Sequence, residues 1–138
     1  MTLPLDLTPE LFALTAVTLF TALIWIPIIL NRLVEMGWWK ALKNPEPDIA
    51  PRHAWAHRLA HAHRNAVENL VVFAPLAITV SLLGLGNALT HFAVTAYLGA
   101  RIAHAVIYAL GIPLLRTIAF FIGFLAQLAL ALRILGVV

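Results

Sequence analysis

From Leu11 to Leu30 the chain runs 20 residues without a charged side chain. At ~1.5 Å of rise per residue, a helix of that length crosses a hydrocarbon core of ~30 Å. Within lipid, a backbone satisfies all its N–H and C=O groups only as a helix or a closed barrel. The stretch reads as a membrane span, and three more apolar segments follow. The spans cover approximately residues 10–31, 53–83, 88–110 and 114–135. Gly111 and Pro113 separate the last two, since Gly tolerates a helix exit and Pro cannot continue a helix. Composition points the same way: 62% hydrophobic against 11% charged residues excludes an ordinary soluble domain of 138 residues. The expected fold is all-α, an integral membrane four-helix up-down bundle forming a single domain over residues 1–138. Only the connection from Asn31 to Arg52 is long, and there is no tandem repeat. The N-terminus carries Asp6 and Glu10 in place of the basic residues of a signal peptide, so the first span is expected to be retained. Pro27 predicts a kink in it.

Positive charge orients the bundle. Arg32, Lys40, Lys43 and Arg52 lie between the first and second spans and Arg116 follows the third, whereas the turn between the second and third has no Lys or Arg. The positive-inside rule then puts both basic connections in the cytoplasm and both termini outside, with Arg133 as the one dissenting cation. This asymmetry accounts for the net charge of +3. No basic patch interleaved with aromatics suggests nucleic acid. Trp38 and Trp39, with Lys40, are expected to anchor the long connection at the membrane interface. The chain has no Cys, so disulfides, thiolate metal sites and a Cys nucleophile are all excluded, and any thiol chemistry must use a thiol brought by a substrate.

The second span opens with polar residues. Arg58, His61, Asn65 and Glu68 are spaced 3, 4 and 3 apart; on a helix they fall within ~80° of arc, with Arg64 and His57 just beyond the edge. Ionisable side chains at membrane depth cost ~2.5–3.5 kcal/mol each, so they mark functional sites by default. Tyr97, Arg101, His104 and Tyr108 form a second stripe on the third span, at intervals of 4, 3 and 4. Facing each other, and joined by Arg116, the stripes suit capture of a small, mostly anionic molecule: Arg grips carboxylates in bidentate fashion, and Glu68 accepts from an ammonium or amide. A purely structural alternative pairs Glu68 with Arg64 or Arg101 as a buried clamp. His63 lies on the opposite face and His91 at a helix start, as packing or interfacial residues. His53, His57 and His61, at i, i+4 and i+8, raise a His-cluster metal site as a lesser alternative. Partner ligands for it are few and serve the anion site better, so no metal is expected.

These residues carry a family resemblance that runs over most of the chain. Ala62-His63-Arg64-Asn65 followed by Glu68-Asn69 resembles the second-helix signature Arg-Ala-His-x-Asn-x-x-Glu-Asn of MAPEG proteins, the membrane-associated proteins of eicosanoid and glutathione metabolism. Gly99-Ala100-Arg101-Ile102-Ala103-His104 with Tyr108 is similar to the third-helix Arg-x-x-His-x-x-x-Tyr of the prostaglandin synthase branch. The resemblance implies a bacterial-type member in the inner membrane, a homotrimer, and glutathione bound as co-substrate between adjacent subunits toward the cytoplasmic side. Carried over, it makes Arg64, Asn65, Glu68, His104 and Tyr108 glutathione contacts, with Arg32 as a basic contact from the first span. Arg58, His61 and Arg101 join them from the stripes. Arg116-Thr117 resembles an Arg-Ser pair assigned to thiol activation, which makes these two the catalytic candidates.

The chain departs from the pattern at His61, where the signature has Arg, and at Phe120, where the fourth helix has a Tyr near the sulfur. His61 replaces a permanent cation with a titratable one. The leading expectation is a membrane-bound glutathione-dependent transferase or peroxidase acting on hydrophobic electrophiles that enter from the bilayer. A thiol of pKa ~8.5 is only a few per cent ionised at pH 7, so cations beside it raise the reactive fraction. The alternative is a catalytically silent glutathione- or lipid-binding membrane scaffold, favoured by the same two departures. Ala54, Ala62 and Ala66 are expected to permit close helix approach in the trimer.

Overall fold

The computed structural model of the chain describes residues 7–44 and 49–138; Asp6 and residues 45–48 of the first connection lie outside the described residues. Its helices are α1 Pro9–Leu23, α2 Trp25–Met36, α3 Trp38–Leu42, α4 Ala54–Leu82, α5 Ala88–Leu110 and α6 Pro113–Ile134. Four helical stretches, α1 with α2, α4, α5 and α6, are long and apolar enough to cross a membrane.

Local chemistry sets where each begins and ends. Thr8 caps α1 by accepting from the Leu11 amide at 3.3 Å, and Pro9 occupies the first turn, where its missing N–H costs nothing. The first span is interrupted where Pro27 acts: α1 gives way to α2 at Ile24, as Pro27 has no N–H for the carbonyl of Leu23. The first span overshoots its expected end near residue 31, because Asn31 donates to the Glu35 carboxylate one turn later at 2.9 Å and the helix continues to Met36. The connection is also partly helical, through α3. Asn87 and Thr90 cap α5 reciprocally. At its other end Gly111, at φ +79°, takes the left-handed conformation that closes a helix.

Two apolar cores hold the bundle. One gathers Val17 of α1, Phe73 and Val80 of α4, Val94 and Tyr97 of α5 and Leu130 of α6, with Tyr97 stacked on Phe73 at 3.8 Å. The other, nearer the long connection, joins Ile24, Ala62, Ala66 and Ala105. Ala62 and Ala66 are thus covered by their own chain. This corrects the expectation that they form a seam between subunits: their small side chains let α2 and α5 approach α4 within one chain, and only Ala54 stays exposed. No span has more than 39% of its apolar window covered by the chain itself. The uncovered apolar surface must face lipid or other copies.

Candidate functional site

Between the two cores lies a polar layer centred on Arg101, which is only 2% exposed. Its Nη1 donates to Asn65 Oδ1 at 3.2 Å and its Nη2 to the Phe120 carbonyl at 3.4 Å. The guanidinium carbon sits 5.5 Å from the ring centres of Tyr97 and Phe120, a cation–π arrangement that partly replaces lost solvation. Nε is buried without a hydrogen-bond partner among the described residues. The carboxylate pairs among those residues are Glu35 with His53 and Glu10 with His91, so none neutralises Arg101. Two long hydrogen bonds and two ring faces are meagre support for a buried charge.

Asn65 is held in turn by the α4 turn below it. Asn69 Nδ2 donates to the Asn65 carbonyl at 2.9 Å and lies 3.3 Å from Asn65 Oδ1. Gln127 Nε2 of α6 donates to the Asn69 carbonyl at 3.0 Å. Gly123 makes room for the layer, since a Cβ there would fall 2.6 Å from Arg101 Nη2. Antiparallel α5 and α6 continue the pairing toward their shared turn: the ring centres of His104 and Phe120 are 6.3 Å apart, and the Arg116 guanidinium carbon covers the Tyr108 ring at 4.4 Å. His104 also meets Tyr108 edge-on at 5.4 Å.

The α4 stripe divides. Its covered face is centred near Ala62 and Ala66; at ~100° per residue, Arg58 and Asn65 stand at the edge of that face, His61 and Glu68 beyond it, and Arg64 farther out. Burial follows the geometry, with Arg58 and Asn65 half-buried and His61, Arg64 and Glu68 exposed. Neither Arg64 nor Glu68 has a polar partner among the described residues. The clamp alternative is therefore not what the fold contains, as Glu68 pairs with neither Arg64 nor Arg101. Arg58 turns toward the end of α5, where its Nε donates to the Ala109 carbonyl at 2.9 Å.

The His series separates as well. His53 Nδ1 lies 2.7 Å from Glu35, while the Nε2 atoms of His57 and His61 are 3.2 Å apart. No group of three metal-ligating side chains assembles among the described residues. Thr117 is exposed, and its hydroxyl donates to the Pro113 carbonyl one turn back at 3.1 Å. Arg32 lines a cavity at the first connection that no residue of the α4 or α5 stripes shares.

A model of the MAPEG family matches residues 11–136. The chain belongs to the MAPEG family. Among its relatives, microsomal glutathione S-transferase 1 of Rattus norvegicus and that of Mus musculus are each 40% identical over 81 residues, covering 56% of this chain and 51% of the relative. The Sus scrofa protein of the same name is 38% identical over the same length. The chain spans about half the length of these curated relatives.

For a MAPEG chain the informative additions are on α6. Gly123 and Gln127, which complete the polar layer, lie outside the site residues expected from the sequence, although Arg116, Phe120, Gly123 and Gln127 repeat the 4, 3, 4 spacing of the α5 stripe. Phe120 stands out in that series only against the family's Tyr, and Gly123 reads as apolar filler. Asn69, seen in the sequence only as part of the motif, proves to be the link between Asn65 and Gln127.

Proposed function

We propose that this MAPEG protein is a membrane glutathione transferase or peroxidase that works as a homotrimer, with the tripeptide held between subunits and a hydrophobic electrophile arriving from the bilayer. The observation that carries this reading is Arg101: a buried guanidinium with an orphaned Nε and no carboxylate partner among the described residues. A ligand carboxylate supplies the missing partner, and a tripeptide thiol with two carboxylates fits that demand. Asn65 fixes the guanidinium from one side. Arg64 and Glu68, exposed and without partners among the described residues, offer a cation and an anion to the ligand's carboxylate and ammonium, while His61 adds an imidazole and Arg32 a further cation. His104 and Tyr108 line the α5 side.

Arg116 stabilises the thiolate by charge, as it lies over Tyr108 at the same end of α5. The thiolate then attacks the electrophilic carbon: the C–S bond forms, the bond to the leaving group breaks, and the leaving group departs with the electron pair while the thiol proton goes to solvent. Holding both reactants in place is the protein's main contribution. Thr117 can donate to the sulfur only after releasing Pro113.

That commitment of Thr117, with Phe120 and His61, favours the second reading, a glutathione- or lipid-binding scaffold without turnover. Conjugation of glutathione to chlorodinitrobenzene and reduction of cumene hydroperoxide, run beside calorimetric glutathione binding, decide between them. Turnover of either substrate supports the enzyme, binding without turnover supports a glutathione-binding scaffold, and no binding overturns both of these and leaves the lipid-binding scaffold. The long first connection and Arg116 are expected to face the cytoplasm with the termini outside, which labelling of single introduced cysteines checks.

A further inference from the structure

Two imidazoles stand together on the exposed face of α4. His57 and His61 are one helical turn apart and both are exposed. Their Nε2 atoms lie 3.2 Å from each other, with the ring planes at 72°. The other histidines are placed differently. His53 Nδ1 is 2.7 Å from Glu35 and His91 Nε2 is 3.6 Å from Glu10. His63 occupies the opposite face of α4, and His104 is buried in α5.

Two ring nitrogens at that separation form the chelating edge of a metal site. With metal–nitrogen bonds of ~2.0–2.1 Å, a tetrahedral ion holds two imidazole nitrogens ~3.3–3.4 Å apart, and a 90° arrangement holds them ~2.8–3.0 Å apart. The 3.2 Å of His57 and His61 falls between these values. An ion can therefore replace the contact between the rings through small side-chain rotations, with the backbone of α4 unchanged. Without the ion one imidazole donates to the other; with it, each neutral ring gives a lone pair to the metal.

Access and charge narrow the choice of ion. The pair lies within the first turns of α4, His61 standing ~10 Å along the axis from the helix start. A hydrated cation reaches it from the connection without passing the apolar run that begins at Leu70. Arg58, next to His57 in the chain, is drawn aside to the Ala109 carbonyl. Arg64, one turn beyond His61, repels a dication and so restricts the site to ions that bind imidazole strongly. Those are Cu²⁺ and Zn²⁺, whereas Mg²⁺ and Ca²⁺ prefer oxygen ligands.

We infer that His57 and His61 form a two-histidine clip for a divalent transition ion of the zinc and copper class, with water in the remaining coordination positions. His57 lies outside the proposed glutathione site and His61 is shared with it.

The test uses the full chain in detergent, prepared without a polyhistidine tag, stripped with a chelator and titrated with Zn²⁺ or Mg²⁺ against a chromophoric indicator. Glutathione is left out, so the outcome does not depend on the function proposed above. Wild type is expected to take up Zn²⁺ and to ignore Mg²⁺. His57→Gln and His61→Gln are each expected to lose at least about tenfold of the Zn²⁺ affinity, because a single imidazole is no chelate. Their melting temperatures are expected to stay unchanged, as both side chains are exposed. His53→Gln and His63→Gln are expected to keep the wild-type affinity. Absence of Zn²⁺ binding in wild type, an unchanged affinity in either clip variant, or an equal loss in the His53 or His63 variant would overturn the inference.

Discussion

A methyl group at position 123 would stand 2.6 Å from Arg101 Nη2, far inside contact distance, with the guanidinium hemmed in by Asn65 and two rings. Gly123→Ala is accordingly expected to displace Arg101 and weaken glutathione binding at least about tenfold, ~1.4 kcal/mol, as measured by calorimetry. Arg64 and Glu68 differ from Arg101 in lacking polar partners among the described residues. Arg64→Ala and Glu68→Gln are each expected to cost more than ~1.4 kcal/mol of glutathione affinity while leaving the melting temperature unchanged. A loss of stability at constant affinity would assign them a structural role. At position 61, His61→Arg is expected to tighten glutathione binding by placing a permanent cation there; an unchanged affinity would remove His61 from the anion's surroundings. Much of this was legible as spacing, since 3.6 residues per turn fixes which side chains share a face. Spacing is silent on which neighbour covers that face, so the division between inward Asn65 and outward Glu68 emerged only with α5 and α6 in place. The α6 face stayed hidden for a different reason: its central member contributes by having no side chain.

At the scale of whole helices, spans two to four were readable because lipid imposes length and apolarity together, and Asn87, Gly111 and Pro113 punctuate the ends. The first connection was not. Asn31, Arg32 and Glu35 look like loop polarity, yet Asn31 and Glu35 are one helical turn apart and bond along the helix axis, which carries α2 to Met36. The junction of α5 and α6 has a device of its own. Arg58 reaches from α4 to an otherwise unpaired carbonyl of the last α5 turn, and its guanidinium carbon would lie 3.1 Å from any Cβ at Gly111. Gly111→Ala is expected to destabilise the protein by ~1–2 kcal/mol, through left-handed strain alone. Arg58→Ala is expected to cost ~0.5–1.5 kcal/mol by removing the donor to this half-buried carbonyl. Thermal unfolding in detergent checks both. Affinity measured on the surviving folded Arg58 variant shows whether this residue also touches the ligand.

For the molecule as a whole, the exposed apolar flanks of every span call for covering surface, and chemical crosslinking in detergent is expected to stop at trimer. Products that end at monomer or dimer would contradict that assembly. Glu68 and Arg64 point away from the bundle that carries them, whereas Arg116 and Tyr108 sit together at the end of α5 and α6. If the tripeptide bridges these two sets across a subunit boundary, each chain is half of two different sites, and a defect in one half leaves the other usable. Chains bearing Arg64→Ala and chains bearing Arg116→Ala, each inactive alone, would then rescue one another when co-expressed, because random mixing rebuilds about one intact boundary in four. A site enclosed by a single chain would show no such complementation, so a simple mixing experiment reports the architecture of the site without any ligand being seen.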